Sequence, residues 1–410
     1  VLRTPNIDRI AAGGVRFDRF YVANPVCMPN RASLMTGRMP SAHGVRSNGI
    51  PLSLHSNTFV EVLRQAGYHT GLIGKSHLQN FSGLPAMQGR DPHPRGYPAP
   101  EGDLAEARRP DAPSADYALE DPRSWARADF ELPLPFYGFD HVDLCTMHGD
   151  SVGGQYRRWL DAQVEGADSL IGSANALPHD YRCPQAWRTA VPETLYPTAY
   201  VADRTLEYLD AHAARADDEP FFLMMSIPDP HHPFTPPGKY WDMYSPSESL
   251  VPASFFQAAN DPPPTLAWAQ RERVGDKVER GRGQFLFVVD EREAREAIAL
   301  TYGMMAMVDD AVGRVLDRLN ALGLSEDTVI VYTRDHGDFL GDHRLLLKGP
   351  LHYQSLVRVP MLWSDPALAH GGAATQALCG TVDLAPTLLD RAGLAGYNGL
   401  QGRSLLAEIE

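Results

Sequence analysis

Cysteine is scarce in this chain. Its 410 residues contain four cysteines and no Cys-x-x-Cys pair, which excludes a disulfide-built scaffold. Long hydrophobic runs are also absent, since none approaches the roughly 20 residues that a membrane-spanning helix requires. We therefore expect no membrane partner.

Positive charge is in short supply as well. The 37 Lys and Arg residues face 51 Asp and Glu residues, which gives a formal net charge of −14 at pH 7. No basic block offsets this charge, so nucleic acid is not an expected partner. A small anionic substrate would need a locally positive pocket inside an acidic protein. No signal peptide is visible, so we expect a cytoplasmic location, with a periplasmic one left open.

Helical patterns followed by short apolar strands occur three times. The helices are predicted over residues 58–66, 198–214 and 293–322, and the strands over residues 68–74, 221–227 and 328–333. Asn57 is predicted to cap the first helix. Repeated helix–strand units of this kind favour an α/β fold, a three-layer sandwich with a mainly parallel central sheet and helices on both sides.

Each predicted strand runs into a cluster of polar residues that contains histidine. The clusters are Lys75 with His77, Asp229 with His231 and His232, and Asp335 with His336. In folds of this class the functional site lies just beyond the carboxyl ends of the strands, so we expect the three clusters to meet. Two regions, 83–114 and 246–282, are irregular and proline-rich. We therefore predict insertions at about 83–190 and 246–285 in one catalytic domain that spans residues 1–410.

Cys27 lies in the most informative segment of the chain. It comes just before a proline that suits the first turn of a helix, so an anion at this position would meet the positive end of a helix dipole. Arg31 follows one turn later. The residues alone leave two interpretations open, an anionic nucleophile and a buried structural cysteine.

The motif Cys-x-Pro-x-Arg, followed by Ala-Ser-Leu-Met-Thr-Gly, resembles the signature of the sulfatase family, in which the cysteine is oxidised to formylglycine. Further segments resemble that family in the same order along the chain: residues 4–8, 74–77, 231–234, 335–338, 348–349 and 383–389. The resemblance implies the alkaline-phosphatase-like fold and covers nearly the whole chain, with arylsulfatases and phosphonate monoester hydrolases as the nearest branches.

The resemblance also implies catalytic roles for individual residues. A hydrated aldehyde made from Cys27 would be the nucleophile, and Arg31 would orient it. Lys75, Lys348 and His231 would stabilise the sulfonyl oxygens, and His77 would bridge nucleophile and substrate. One of the histidines would protonate the leaving oxygen. Asn48 and His232 are the expected substrate-binding residues.

One divalent metal ion is implied, with the modified Cys27, Asp335 and His336 as ligands. Ca²⁺ is the first choice, and the imidazole of His336 widens the choice to Mn²⁺ or Zn²⁺. The family supplies further metal-binding aspartates at the end of a first strand that would precede Thr4. We therefore expect the sequence to lack that strand and most of a small C-terminal subdomain.

Hydrolysis of an aryl or small alkyl sulfate ester is the predicted reaction, with a formylglycine-generating enzyme as the partner in maturation. Lys75 and His77 favour this reaction. Asp335-His336 and Asn48 favour the alternative, a phosphonate monoester or phosphodiester hydrolase of the same superfamily. An inactive sulfatase-like protein is the third hypothesis, and a homo-oligomer is a further expectation.

Overall fold

The structure is a computed structural model that describes residues 1–82, 102, 104, 115–215, 217–257, 262–271, 286–368 and 371–409. The strands are β1 (Val15–Phe17), β2 (Phe20–Tyr21), β3 (His69–Lys75), β4 (His141–Thr146), β5 (Gly153–Gly154), β6 (Phe221–Ser226), β7 (Phe287–Val288), β8 (Ile330–Thr333), β9 (Leu345–Leu346), β10 (Met361–Ser364), β11 (Ala373–Thr375) and β12 (Cys379–Gly380). The helices are α1 (Pro5–Ala12), α2 (Cys27–Thr36), α3 (Pro40–His43), α4 (Phe59–Gln65), α5 (Pro122–Trp125), α6 (Gln155–Gln163), α7 (Pro197–Ala213), α8 (Pro264–Arg271), α9 (Glu291–Ala321), α10 (Gln354–Val357), α11 (Leu384–Arg391) and α12 (Leu406–Ile409).

Two four-stranded sheets form the centre of the described part of the chain. In the first, β3 pairs in parallel with β4 on one side and β6 on the other, so that Leu72 lies opposite both Val142 and Met224. Strand β5 pairs antiparallel with β4. In the second sheet, β1 is parallel to β11, and β10 runs antiparallel to both β1 and β8. The predicted strands are confirmed as β3, β6 and β8.

Helices cover both faces of the first sheet. Successive side chains of a strand point to opposite faces. Accordingly, Leu72 packs in one cluster with Phe59 of α4, and Ile73 packs in another with Leu160 of α6 and Val201 of α7. This layering is the predicted α/β sandwich, and the fold class is confirmed.

Helix α9 is the longest helix described and closely matches its predicted range. Asp290 and Glu293 form a capping box at its start: the Asp290 carboxylate accepts from the Glu293 backbone N–H, and the Glu293 carboxylate accepts from that of Asp290. Gly323 follows its end with a φ of 72°. Met305 of α9 packs in a cluster with Ile7 of α1, so the N-terminal helix is held against α9.

The N-terminal cap of α4 differs from the prediction. Thr58, not Asn57, is the cap: its backbone is extended and its Oγ1 accepts from the backbone N–H of Glu61 at 3.1 Å. The helix itself is confirmed. Asparagine and threonine are both good caps, so their order in the sequence did not decide which residue takes the role.

Strands β6 and β8 are less buried than their apolar sequences predicted. Residues 221–225 and 330–333 are half-buried, whereas residues 70–75 of β3 are buried. Within the described residues, β6 pairs with β3 alone and β8 with β10 alone. A strand with one free edge keeps part of its side chains accessible, which explains the difference. Ile227, just after β6, lies in the same cluster as Ile330 of β8.

The two predicted insertions are described only in part. The first interval, 83–190, contains β4, a strand of the first sheet. Most of residues 83–114 and of residues 258–285 lie outside the described residues.

All four cysteines are free and buried. Among the residues described, no helix combines the length and the hydropathy that crossing a bilayer needs.

Candidate active site

Cys27 is the first residue of α2, as predicted, and is 1 % exposed. The residue before it is extended, so the chain turns into the helix at this point. The next backbone N–H, that of Met28, donates to the Asn48 side-chain oxygen at 3.1 Å. Asn48 therefore lies beside the nucleophile position and satisfies one of the N–H groups that a helix start leaves unpaired.

The Cys27 thiol is strongly acidified. Burial by itself raises its pKa, but the electrostatic effects of Lys348, His336 and Lys75 outweigh burial and hold the pKa well below its ordinary value. The sulfur lies 3.1 Å from Nε2 of His336. A negative group at position 27 is thus favoured by the surrounding charges.

Arg31 joins three elements around the site. Its guanidinium donates to the Asp335 carboxylate at 2.8 Å, to the Lys75 carbonyl at 2.8 Å and to the Ser226 hydroxyl at 3.0 Å. These partners lie at or just beyond the ends of β3, β6 and β8. Arg31 was predicted to orient the group at position 27, and the bonds described here fix the elements that surround that group.

Asp335 and His336 follow β8 and offer a carboxylate and an imidazole. Burial raises the pKa of Asp335, but the electrostatic effects of its neighbours, with Arg31 and His336 the largest, hold the pKa well below its usual range. The carboxylate is therefore ionised. Nδ1 of His336 donates to the Gly337 carbonyl at 2.8 Å. That bond leaves Nε2, which lies beside the Cys27 sulfur, as the ring nitrogen that can bind a metal ion.

The potential metal ligands converge. The ligand atoms of Cys27, His231 and His336 all lie within 4.8 Å of one another, and an Asp335 oxygen lies 3.7 Å from Nε2 of His336. Sulfur or oxygen at position 27, imidazole nitrogen and carboxylate oxygen together fit a divalent cation. His231, predicted as a catalytic residue, is thus close enough to the other ligands to contact the same ion.

Lys75 ends β3 and is 2 % exposed. Burial lowers the pKa of its ammonium to about 8. Nζ donates to Nε2 of His148 at 2.9 Å. A buried ammonium with a neutral partner keeps its charge available for an anion.

His77 lies in a tightly held turn after β3. Its φ of 56° is unusual for a residue other than glycine, and its ring stacks on Phe81 with centroids 3.7 Å apart. The buried Glu120 carboxylate accepts from the backbone N–H groups of His77, Leu78 and Gln79, each at 2.8 Å. Burial lowers the pKa of His77 to about 4, so the ring is neutral.

The histidine pair after β6 meets Lys348. The Lys348 ammonium donates to Nε2 of His231, whose Nδ1 donates to the His232 carbonyl at 2.6 Å. Burial and the neighbouring positive groups hold the pKa values of both histidines well below the usual value. The His232 ring lies 4.0 Å from that of His231, and both of its ring nitrogens are buried without a partner among the described residues.

The structure therefore brings every predicted site residue to one end of the sheets, and it adds two that were not predicted. His148 follows β4, and Glu120 precedes α5. Both lie in the interval that was predicted to be an insertion. Had residues 141–146 been interpreted as a strand, the rule that site residues follow strand ends would have pointed to His148.

A second group of possible ligands lies at the opposite end of β3. Atoms of His69, Asp217 and Glu219 also lie within 4.8 Å of one another, beside a cavity of about 460 Å³. The Arg215 guanidinium pairs with Asp217 at 2.8 Å and repels a cation there. We assign no function to this group.

The sequence model of the family named Sulfatase matches residues 1–104 and 147–394. The chain belongs to the sulfatase family. One relative of this sulfatase is an arylsulfatase of Clostridium perfringens. It is 28 % identical over 422 residues, and the match covers 100 % of this chain and 74 % of the relative. A multifunctional alkaline phosphatase superfamily protein of Trinickia caryophylli, PehA, is 28 % identical over 99 % of this chain and 71 % of its own length.

Solved structures of the superfamily share the fold of this sulfatase. The phosphonate monoester hydrolase of Agrobacterium radiobacter superposes with a TM-score of 0.72 and 26 % identity, covering 100 % of this chain and 72 % of the other. The resemblance that the motifs indicated is thus confirmed in sequence and in fold. The family match passes over residues 105–146, which include β4.

Proposed function

We propose that this chain hydrolyses aryl or small alkyl sulfate esters at position 27. Membership of the sulfatase family makes it a sulfuric ester hydrolase. The observation that carries the proposal is the arrangement of two buried lysines, Lys75 and Lys348, around an acidified Cys27 at the start of α2. A sulfate ester is an anion, and its hydrolysis needs positive charge and a nucleophile held in line.

The charge balance of the site supports an anionic substrate group. Asp335 already pairs with Arg31, which leaves the ammonium groups of Lys75 and Lys348 for an incoming anion. The histidines around them have pKa values below their ordinary value and add no charge at neutral pH. This is the locally positive pocket that an acidic protein needs.

The family implies a divalent metal ion and a formylglycine made from a cysteine. Asp335, His336 and the modified residue 27 would hold the ion, and the position of His336 Nε2 beside residue 27 supports this. When present, the formylglycine supplies the nucleophile and the ion polarises a sulfate oxygen. Ca²⁺ is the ion that we expect first, with Mn²⁺ or Zn²⁺ as alternatives because one ligand is an imidazole.

The remaining residues have roles that their contacts support. Arg31 keeps the Asp335 carboxylate oriented, and Lys75 and Lys348 bind the sulfonyl oxygens. Lys348 donates to His231, so this pair can deliver a proton to the leaving oxygen. His77, neutral and held by Glu120, can donate to the ester or its alcohol. His232 can do the same, since its two ring nitrogens have no partner in the described part of the chain.

A phosphonate monoester or phosphodiester hydrolase is the second candidate. The Asp335-His336 pair, Asn48 beside Cys27 and the fold of the Agrobacterium radiobacter enzyme favour it. Such esters also carry one negative charge, so the charge of the site does not separate the two. Lys75 and His77 favour the sulfate ester.

Comparing two substrates decides between these candidates. Protein expressed with a formylglycine-generating enzyme is given 4-nitrophenyl sulfate and a phenyl phosphonate ester at equal concentration. We expect the larger kcat/KM for the sulfate. A larger value for the phosphonate would make the second candidate correct. Turnover of neither, with unmodified Cys27 and no bound metal, would identify an inactive sulfatase-like protein.

The remaining expectations concern partners and location. We infer that a formylglycine-generating enzyme acts on Cys27 before the chain is fully folded, since the residue is 1 % exposed in the fold. A cytoplasmic location and a homo-oligomer stay predictions. Cell fractionation and light scattering of the purified protein test them.

A further inference from the structure

His148 lies between two side chains of the proposed site. On one side its Nε2 is 2.9 Å from Nζ of Lys75. On the other its ring stacks on His231, with centroids 3.5 Å apart and ring planes 9° apart. The residue is 5 % exposed. One imidazole thus contacts both a sulfate-binding lysine and the histidine that takes part in proton transfer.

His148 is neutral in this environment. Burial, followed by the charges of Lys75 and Lys348, holds its pKa well below the ordinary value. A lysine ammonium has only donors, so Nε2 of His148 is the acceptor and its proton is on Nδ1. An aspartate in this place would pair with Lys75 and cancel its charge. A neutral acceptor fixes the lysine and leaves that charge for the substrate.

We propose that His148 is a positioning residue for hydrolysis of the sulfate ester. It holds the Lys75 ammonium by a hydrogen bond and the His231 ring by stacking. The inference rests on the proposed function of the site. A lysine side chain has several rotatable bonds, and ordering it before the substrate arrives removes that entropic cost from the reaction.

Two substitutions separate the two contacts. His148→Phe keeps a flat ring for stacking and removes the acceptor, whereas His148→Gln keeps an amide oxygen near the position of Nε2 and removes the ring. His55→Phe is the matched control, because His55 is exposed. Each protein carries formylglycine at position 27 and is assayed with 4-nitrophenyl sulfate.

We expect His148→Phe to lower kcat by about 10- to 100-fold while KM changes less than about threefold, since misplacing a reacting group affects the chemical step. His148→Gln should recover part of the loss, and His55→Phe should match the unchanged protein. An unchanged kcat in both His148 variants would overturn the proposal.

A double-substitution cycle tests whether His148 acts through Lys75. In a Lys75→Met background, His148→Phe should cost less than about threefold in kcat, because contacting residues are not additive. A merely structural role would give the full loss in both backgrounds, and that result would overturn the proposal.

A crystal structure of His148→Phe, or of His148→Gln if the first variant does not fold, provides a readout that needs no activity. We expect Nζ of Lys75 to leave its position or lose its density. An unmoved Lys75 would overturn the proposal. If the unchanged protein with an aldehyde at position 27 hydrolyses no sulfate ester, the proposed function fails, and this structural comparison still decides whether His148 holds Lys75.

Discussion

The guanidinium of Arg31 shows how one residue serves several parts of the site. It is 8 % exposed and bonds to a carboxylate, a carbonyl and a hydroxyl on three elements. The planar fork of an arginine reaches several acceptors in fixed directions, which a lysine ammonium cannot reproduce. Arg31 therefore supports both the fold around position 27 and the orientation of Asp335.

Replacing Arg31 by lysine tests this dependence. Arg31→Lys keeps the charge but leaves at least one buried acceptor unpaired, so we expect the free energy of unfolding to fall by about 1–3 kcal/mol. Displacement of Asp335 should also lower sulfate ester hydrolysis by about 100-fold. Denaturant unfolding and the nitrophenyl assay measure the two effects.

Arg16→Lys is the matched control, because Arg16 forms an exposed pair with Asp18. It should change the free energy of unfolding by less than about 0.5 kcal/mol and leave hydrolysis unchanged. Equal effects of the two substitutions would contradict the role given to Arg31.

At the scale of elements, the turn after β3 depends on a residue from another part of the chain. Glu120 is buried, and its carboxylate accepts three consecutive backbone N–H groups, beginning with that of His77. These bonds lower the pKa of Glu120, but burial has the larger effect and raises the pKa to about 7. The turn that carries His77 is thus coupled to a titrating group.

This coupling predicts a specific pH dependence of stability. Because the folded-state pKa of Glu120 is raised from 4.5 to about 7, the folded protein binds more protons than the unfolded chain in that window. The contribution of Glu120 to the free energy of unfolding therefore falls by about 3 kcal/mol as pH rises from 4.5 to 7. Denaturant unfolding at pH 4.5 and pH 8 measures this difference in the free energy of unfolding. In Glu120→Gln the difference should be smaller by the contribution of Glu120.

Glu326→Gln serves as the control, since Glu326 is exposed on a short turn after α9. Its unfolding should show the same pH dependence as the unchanged protein. If Glu120→Gln also kept that dependence, Glu120 would not be the titrating group.

The elements show which parts of the fold could be predicted from the sequence. Helices α7 and α9 and the buried strand β3 have clear periodicity or continuous apolarity, and their prediction holds. Strand β4 was not predicted, because a proline-rich interval precedes it and no matching helix pattern leads into it. With β4 unrecognised, His148 and its contact with Lys75 could not be found.

Motif residues were easier to predict than their partners. Cys27, Arg31, Lys75 and Lys348 lie in short segments with a recognisable spacing. The bonds of Arg31 to Ser226 and of Lys75 to His148 join residues that are 195 and 73 positions apart. Only the folded chain brings such pairs together, so sequence spacing carries no signal for them.

At the scale of the whole molecule, an acidic protein carries a small positive site. The chain has a net charge of −14, yet the two ammonium groups and the Arg31–Asp335 pair lie together beneath the surface. A divalent ion held by Asp335 and His336 would bind the folded chain and not the unfolded one. Such an ion stabilises the fold by mass action.

Metal binding can therefore be measured without any substrate. Adding Ca²⁺ at about 100 times its dissociation constant should raise the free energy of unfolding by about 2.7 kcal/mol, and a chelator should reverse the effect. In Asp335→Asn the gain should be lost, because the ionised carboxylate ligand is removed. Asp18→Asn, a substitution of a carboxylate outside the site, should keep it. The same gain in all three proteins would place the ion elsewhere.

The proposed function depends on an aldehyde made from Cys27, which performs the hydrolysis. Preparations made with increasing amounts of a formylglycine-generating enzyme will contain increasing aldehyde fractions at position 27, which peptide mass spectrometry quantifies. We expect the rate of 4-nitrophenyl sulfate hydrolysis to rise in proportion to this fraction and to extrapolate to zero without it. A rate that does not change with the aldehyde fraction would show that this aldehyde is not the nucleophile.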